Sequence, residues 1–195
     1  MSEHKQIADQ RIRADQAMVL VIDYQEKLFA AMPEKAGKRH LGNMGALLRG
    51  MQTLGIPAIV TEQYPRGIGP TLSEVKDALA GDLAPVEKVE FSCCENDDAL
   101  AAIRGIADKG RRSVIVSGME THICVYQTVL DLLGRGLNVH VVADTCLSRR
   151  RENWERGLAL CERAGAVITS TETVLFQLLG KAGSAEFKTI SKLIQ

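Results

Sequence analysis

Three side chains that together can carry out acyl transfer are spread along the sequence: Asp23, Lys88 and Cys124. Asp23 and Cys124 come after short apolar or β-branched runs that are typical of buried strands, and Lys88 comes after 85–87, a weaker strand candidate. A cysteine nucleophile needs a group that accepts its proton and a positive charge that holds the thiolate. A carboxylate and an ammonium group meet these needs, so the sequence predicts an Asp–Lys–Cys site if the three strand ends converge.

The segment 113–133, SVIVSGMETHICVYQTVLDLL, presents the thiol. Its pattern predicts a strand, a sharp break at Ser117-Gly118 and then an amphipathic helix. We expect Cys124 to lie in the first turn of that helix. Unpaired backbone N–H groups and the positive end of the helix dipole lower the pKa of a thiol at this position.

Each of these residues also has an ordinary structural interpretation. An Asp after a strand is often a turn residue, a Lys is usually a solvated charge, and a Cys among apolar residues is often a small core side chain. His122 lies two residues before Cys124 and does not share its helical face, so we expect His122 at the pocket rim or on the surface. Only the joint placement at three strand ends favours catalysis.

The elements that must position these residues alternate between strand and helix. Apolar runs predict strands at 18–22, 57–61, 114–116, 138–143 and 166–169, and a weaker strand is predicted at 85–87. Periodic segments predict helices, among them 34–54, 72–80, 97–107, 150–163, 171–179 and 184–194. This alternation favours an α/β fold, a single-domain three-layer sandwich over residues 1–195 with a polar N-terminal arm at 1–16. We expect a six-stranded parallel sheet in the Rossmann-like order 3-2-1-4-5-6, in which the ends of strands one and four share a crevice.

Composition argues against several classes of partner. The 195 residues contain 24 Lys+Arg and 24 Asp+Glu, so the formal net charge is zero and gives no support for nucleic acid or an anionic membrane. We interpret the basic cluster 149–151 as a solvated helix start. Five cysteines without a secretory signal are typical of reduced cytosolic thiols. We therefore expect a cytoplasmic protein that acts on a small molecule, with no nucleic-acid or membrane partner.

Three motifs in this sequence resemble those of the isochorismatase-like cysteine hydrolases. SGMETHICVYQTVLDLL resembles the family's Cys motif, LVIDYQ its Asp motif and EKVEFSC its Lys motif, in the family's order. The loop TEQYPRGIGPT is most similar to the uncharacterised isochorismatase-domain-containing branch. The resemblance implies that Asp23, Lys88 and Cys124 form the catalytic triad of a hydrolase that cleaves a small amide or related C–N or acyl bond through a thioester-type intermediate.

The same resemblance implies a non-proline cis peptide at Met119-Glu120. The backbone N–H groups of Glu120 and Cys124 would then form the oxyanion hole. We add four candidates for the substrate pocket from the segments that follow the first three strands: Gln25, Gln63, Tyr64 and Phe91. Family members are commonly oligomeric, so we also expect a homo-oligomer.

The sequence differs from those of two well-known kinds of enzyme in that family. Nicotinamidases hold a metal with Asp and His residues in the loop after the second strand, but EQYPRGIGPT contains neither residue type. The four histidines, His4, His40, His122 and His140, form no pair at zinc-like spacing. We therefore expect no metal and no cofactor, and we do not expect nicotinamide as substrate. True isochorismatases lack the nucleophilic Cys that this chain has at position 124.

Two other functions remain open at this point. The chain could be a catalytically idle oligomeric scaffold or a small-molecule binding protein of the same fold. It could also be a nucleotide-binding Rossmann domain, although Gly67-Ile68-Gly69 lacks the rest of a dinucleotide fingerprint.

Overall fold

The computed structural model describes residues 10–79 and 84–194. In them, six parallel strands form one sheet: β1 Ala17–Ile22, β2 Ala58–Gln63, β3 Val86–Lys88, β4 Ser113–Met119, β5 Asn138–Leu147 and β6 Val167–Thr169. Their order, β3-β2-β1-β4-β5-β6, confirms the predicted topology. The carboxyl ends of β1 and β4 therefore lie side by side at the point where the chain reverses its direction of winding.

Helices follow or connect the strands in the predicted sequence. They are α1 Glu26–Ala30, α2 Glu34–Thr53, α3 Pro65–Ile68, α4 Ser73–Ala78, α5 Asp97–Ala107, α6 Tyr126–Gly134, α7 Arg151–Ala164, α8 Thr171–Leu179 and α9 Ala185–Leu193. Residues 1–9 of the predicted arm, and Ala80 of the predicted helix 72–80, lie outside the described residues. No helix of the described part is both long and apolar enough to cross a bilayer.

Strand β1 is the centre of the core because every one of its residues is buried. Its side chains alternate between the two faces of the sheet. Val19 and Val21 pack with α2, α8 and α9 on one face, whereas Met18, Leu20 and Ile22 pack with α5, α6 and α7 on the other. Burying such an apolar side chain contributes about 1.5–3 kcal/mol. The result is the predicted three-layer sandwich.

Strand β4 does not break at Ser117-Gly118 as the sequence suggested. It continues to Met119 because both neighbouring strands pair with it, Ile22 of β1 opposite Gly118 and Cys146 of β5 on the other side. Gly118 has φ +147°, and a methyl group there would collide with the backbone of Ile22. Glycine therefore allows β4 to approach β1 closely where a turn had been expected.

Other boundaries also differ from the sequence expectation. Strand β5 was predicted to end at Ala143, but it continues to Leu147 because its last residues pair with the extended end of β4. Lys88 is the last residue of β3 and does not follow it, and the expected loop after β2 contains the single-turn helix α3.

Candidate active site

The sheet brings Asp23, Lys88 and Cys124 together at its carboxyl edge. Asp23 follows β1, Lys88 ends β3, and Cys124 lies in the turn that follows β4. The side chains of Asp23 and Lys88 are fully buried, with Lys88 Nζ 2.7 Å from Asp23 Oδ2. Because β2 lies between β1 and β3, Lys88 must reach across a strand to form this ion pair.

The Lys88 ammonium group has four acceptors within reach of its three protons. Besides Asp23, Nζ donates to Gln63 Oε1 at 2.8 Å and to the backbone oxygens of Glu90 at 3.2 Å and Phe91 at 3.4 Å. Burial is the largest single influence and lowers the pKa of Lys88. The charge of Asp23, the nearby Cys93 and Cys124 and the hydrogen bond to Asp23 together outweigh burial and raise the pKa above its ordinary value. Lys88 therefore stays positively charged in a buried site.

The Asp23 carboxylate is held from a second side by Thr61 of β2. Thr61 Oγ1 donates to Asp23 Oδ1 at 2.8 Å, and the Asp23 backbone N–H donates to the Thr61 carbonyl at 3.2 Å. Asp23 has φ +54°, a left-handed conformation that aspartate tolerates better than most residues. Thr61 was not among the predicted site residues. The signal for it in the sequence is that a polar residue ends the apolar run 57–61.

Cys124 occupies a different local structure from the one expected. It lies in a π-helical turn, Thr121–Val125, that precedes α6, and it is only 6% exposed. Burial raises the pKa of the Cys124 thiol, and so do the charge of Asp23 and a hydrogen bond to it, while Lys88 has the opposite effect. The expected lowering of this pKa is therefore wrong. The resting thiol is protonated at neutral pH because desolvation and the adjacent carboxylate outweigh Lys88.

The peptide bond between Met119 and Glu120 is cis, at the position that the family resemblance implied. Just after it, the Glu120 carbonyl accepts hydrogen bonds from the N–H groups of Ile123 at 3.0 Å and Val125 at 3.3 Å. These two residues flank Cys124, so the bonds fix the turn that carries the thiol. Whether the N–H groups of Glu120 and Cys124 act as an oxyanion hole stays a prediction.

The Glu120 side chain connects the same turn to Arg149, in the segment just before α7. Its buried carboxylate accepts the backbone N–H of Arg149 at 2.9 Å and the Arg149 guanidinium at 3.1 Å. The Arg149 side chain itself is 58% exposed. The anchor therefore combines a buried bond to the main chain with an ion pair that faces solvent.

Helix α7 packs directly against the π-helical turn. A side chain at the buried Gly157 would place its first carbon 2.8 Å from the backbone nitrogen of His122, which is too close. His122 is half-buried, and its Nδ1 lies 3.1 Å from Ser148 Oγ. His122 therefore braces the turn against the β5–α7 connection, and its hydrogen bond does not involve Cys124.

The predicted pocket residues divide into two groups. Gln25 is buried, and its amide forms hydrogen bonds of 2.6–3.0 Å with the backbone of Gln63 and Gly69. It therefore connects the end of β2 to the residue that follows α3. Gln63 orients Lys88 and also donates to Val89 O at 2.7 Å. Tyr64 and Phe91 are 54% and 52% exposed. Of the four predicted pocket residues, only these two aromatic residues are largely exposed to a ligand.

The remaining ligand-type side chains show no metal arrangement. Across residues 10–79 and 84–194, no three His, Cys, Asp or Glu side chains are grouped as metal ligands would be. All five cysteines are buried and unpaired. Cys93 lies 3.7 Å from the Thr61 hydroxyl, so a second thiol adjoins the site.

Comparison with known proteins gives one family. Residues 17–173 match the family model described as Isochorismatase domain. Isochorismatase domain-containing protein 1 of Danio rerio is 42% identical over 149 residues, covering 76% of this chain and 51% of the relative. The chain thus spans about half the length of that relative. Isochorismatase domain-containing protein 2 of Bos taurus is 36% identical over 188 residues, covering 95% and 86% of the two chains.

A solved structure extends the likeness to three dimensions. The structure described as MAR1 ribonuclease from Caenorhabditis elegans superposes with a TM-score of 0.86 at 35% identity. It covers 94% of this chain and 92% of that chain.

Proposed function

We propose that this chain, which belongs to the isochorismatase family, is a metal-independent cysteine hydrolase with Cys124 as its nucleophile. Its substrate would be a small amide or a related compound with a C–N or acyl bond. The observation that carries the proposal is the fully buried Asp23–Lys88 ion pair beside a protonated, nearly buried thiol. Charged pairs in such a setting are costly to bury, which favours a functional reason for keeping this one.

In the first step Cys124 Sγ attacks the carbonyl carbon while its proton moves to Asp23. The thiol is protonated at rest, so the carboxylate must act as the base at the moment of attack. Lys88 stays charged and offsets the negative charge that the two groups share. The carbonyl oxygen becomes an oxyanion next to the N–H groups of Glu120 and Cys124, and one such donor lowers the barrier by about 3 kcal/mol.

In the second step the protonated Asp23 gives its proton to the leaving nitrogen as the C–N bond breaks. This leaves a thioester on Cys124 and a neutral amine. Water then attacks the thioester carbon, Asp23 takes the proton of that water, and the proton returns to the sulfur as the acid leaves. Asp23 therefore serves alternately as base and acid, and no other proton carrier is needed.

The rim of the site favours a substrate with an apolar part. Tyr64 and Phe91 are exposed beside Lys88, whereas Gln25 and Gln63 use their amides on the protein itself. The similar Caenorhabditis elegans structure, described as a ribonuclease, adds RNA as a second class of substrate to test. The zero net charge of this chain gives no support for that class.

The setting of the enzyme is part of the proposal. Five buried, unpaired thiols suit a reducing compartment such as the cytoplasm. The homo-oligomer that the family resemblance implied belongs to the same proposal. Light scattering of the purified protein would measure its mass, and a monomer at all concentrations would contradict this part.

A substrate screen tests the central proposal. Amides, carbamoyl compounds, esters and RNA are offered to the wild type, to Cys124→Ala and to the matched control Cys161→Ala. We expect turnover of an amide-type compound that falls by about 10³-fold or more in Cys124→Ala and persists in Cys161→Ala. Acylated protein trapped at low pH should carry the added mass on Cys124. Turnover that survives in Cys124→Ala would contradict the proposal.

Alkylation of the thiols tests the activation of Cys124 without a known substrate. With substoichiometric iodoacetamide at neutral pH, Cys124 should react faster than Cys93, Cys94, Cys146 or Cys161, because Asp23 accepts its proton during the attack. Asp23→Asn removes that base and should abolish the advantage. Equal labelling of all five thiols would instead favour the catalytically idle scaffold.

A further inference from the structure

The hydroxyl of Thr61 lies at the centre of a small hydrogen-bonded group behind the catalytic carboxylate. Thr61 is fully buried within β2, and Ile22, the last residue of β1, is its partner across the two strands. Its Oγ1 lies 2.8 Å from Asp23 Oδ1 and 3.7 Å from the sulfur of Cys93. The proposed mechanism assigns no role to either Thr61 or Cys93.

The direction of these hydrogen bonds follows from the chemistry of the groups. An ionised carboxylate only accepts, so the single hydroxyl proton of Thr61 must point to Asp23. The oxygen of that hydroxyl then keeps lone pairs that can accept a proton from Cys93. Burial, together with the charge of Asp23, raises the pKa of the Cys93 thiol to about 11, so at neutral pH it has a proton to donate.

The Cys93 thiol is itself held in place. Its backbone N–H donates to Thr128 Oγ1 of α6 at 3.0 Å, and the residue is completely buried. The donors therefore form a chain from Cys93 S–H to Thr61 O–H to Asp23 Oδ1. Lys88 binds the other oxygen, Oδ2, at 2.7 Å. With one donor on each oxygen, the carboxylate cannot rotate without losing a bond.

We propose that Thr61, oriented by the Cys93 thiol, is a positioning residue that fixes the Asp23 carboxylate and favours its ionised form. The inference rests on the proposed function, in which Asp23 must be ionised to accept the proton of Cys124. The titratable groups that face Asp23 within the described residues are Lys88, Cys93 and Cys124. Of these only Lys88 carries a charge at neutral pH, and Thr61 adds a neutral donor to it.

Replacing Thr61 by valine tests this inference, because valine keeps the shape and removes the hydroxyl. In protein labelled with ¹³C at aspartate side chains, the Asp23 signal is assigned with Asp23→Asn and followed from pH 8 to pH 3. We expect protonation of Asp23 to begin about one pH unit higher in Thr61→Val than in the wild type, since a donor to a charged group has been lost. Thr61→Ser keeps the hydroxyl and should restore the wild-type curve.

The alkylation rate of Cys124 gives a second measurement. In Thr61→Val the acid limb of its pH profile should move up by about the same amount, whereas a merely structural defect would lower the rate at every pH. Circular dichroism identifies variants that fail to fold, and Thr61→Ser is the replacement best able to keep the fold. Asp23 curves that coincide in wild type and Thr61→Val would overturn the inference.

The contribution of Cys93 is tested separately with Cys93→Ala. A thiol is a weak donor, so we expect a shift in the same direction that is smaller than that of Thr61→Val. An unchanged Asp23 curve would overturn the part assigned to Cys93. The carboxyl titration needs no turnover, so a failure of the hydrolase proposal, seen as absent turnover and unselective alkylation, is distinguishable from a failure of this one.

Discussion

Two buried places in the sheet hold ionisable side chains in opposite ways. At the carboxyl edge, Asp23 and Lys88 are both fully buried and joined at 2.7 Å. Within β5, His140 is 1% exposed, and neither of its ring nitrogens has a hydrogen-bond partner in the part of the chain that the structure describes. Burial lowers the pKa of His140 to about 4, so the ring is neutral. Similar burial thus preserves charge at one place and removes it at the other.

The difference lies in the supply of partners. His140 pairs across the sheet with Ile115 of β4 and Val167 of β6, so its strand neighbours are apolar. Asp23 lies where strands end, and it meets the hydroxyl of Thr61 and the ammonium group of Lys88. Because a buried charge is tolerated only with partners, the strand ends can retain charge for chemistry while the strand interior cannot.

Removing one member of the charged pair should have the largest effect on stability. Lys88→Met leaves the Asp23 carboxylate buried beside an apolar side chain, which should lower the free energy of unfolding by about 3–5 kcal/mol. Urea denaturation at pH 7 measures the loss. The double variant Asp23→Asn with Lys88→Met keeps no unpaired charge and should recover most of it. If the two single losses simply add in the double variant, the pair is not coupled and the comparison fails.

His140 should produce an intermediate effect that depends on pH. An unfolded histidine binds a proton near pH 6.5, whereas folded His140 does so only near pH 4. Between these values the unfolded chain binds more protons, so the free energy of unfolding falls as the pH decreases, by about 3 kcal/mol over the whole window. Urea denaturation at pH 7, 5 and 4 measures this fall for the wild type and for His140→Val.

The valine variant should lose that part of the pH dependence. His40 also has a lowered pKa, mainly because of burial, but it remains in both proteins and cancels in the comparison. Differences between the slopes are therefore decisive, whatever the absolute stability of the variant. Equal slopes would show that His140 does not stay neutral in the folded protein.

The sequence was sufficient for the features that depend on local pattern. Continuous apolar runs predicted the parallel strands, and their alternation with helices predicted the sheet order that places Asp23 and Cys124 near the same crevice. Lys88 could be proposed because it closes a short strand. These inferences need only periodicity and the rules of chain connection.

The predictions that were wrong or missing concern properties that depend on neighbours distant in the sequence. The pKa of Cys124 was expected to be lowered by a helix start, but burial and Asp23, which is about 100 residues away, raise it. Thr61 acquires its importance only when β2 lies beside β1. The lack of partners at His140 is likewise a property of the neighbouring strands, and no pattern around position 140 predicts it.

Glu120 provides a third arrangement, between the fully buried Asp23–Lys88 pair and the unpartnered His140. Its buried carboxylate pairs with an Arg149 side chain that is 58% exposed. Arg149→Ala leaves the bond from the Arg149 backbone N–H to the carboxylate at 2.9 Å. We therefore expect a loss of about 1 kcal/mol in the free energy of unfolding, well below that of Lys88→Met. The matched control is Arg151→Ala, whose side chain is 82% exposed and pairs with Glu155. It should cost less than Arg149→Ala, because both side chains of that pair lie in solvent.

Salt should then separate the three pairs by their exposure. Surface charges are screened within about 3 Å at 1 M salt, whereas a fully buried pair is screened much less. The loss caused by Arg149→Ala should shrink in 1 M sodium chloride, because solvent reaches the guanidinium, and that of Lys88→Met should persist. A loss for Arg149→Ala that is as large and as salt-independent as that of Lys88→Met would mean that the Glu120 anchor behaves as a buried pair. The presence of hydrogen-bonding and charged partners, and not access to solvent, would then distinguish the Glu120–Arg149 and Asp23–Lys88 pairs from His140.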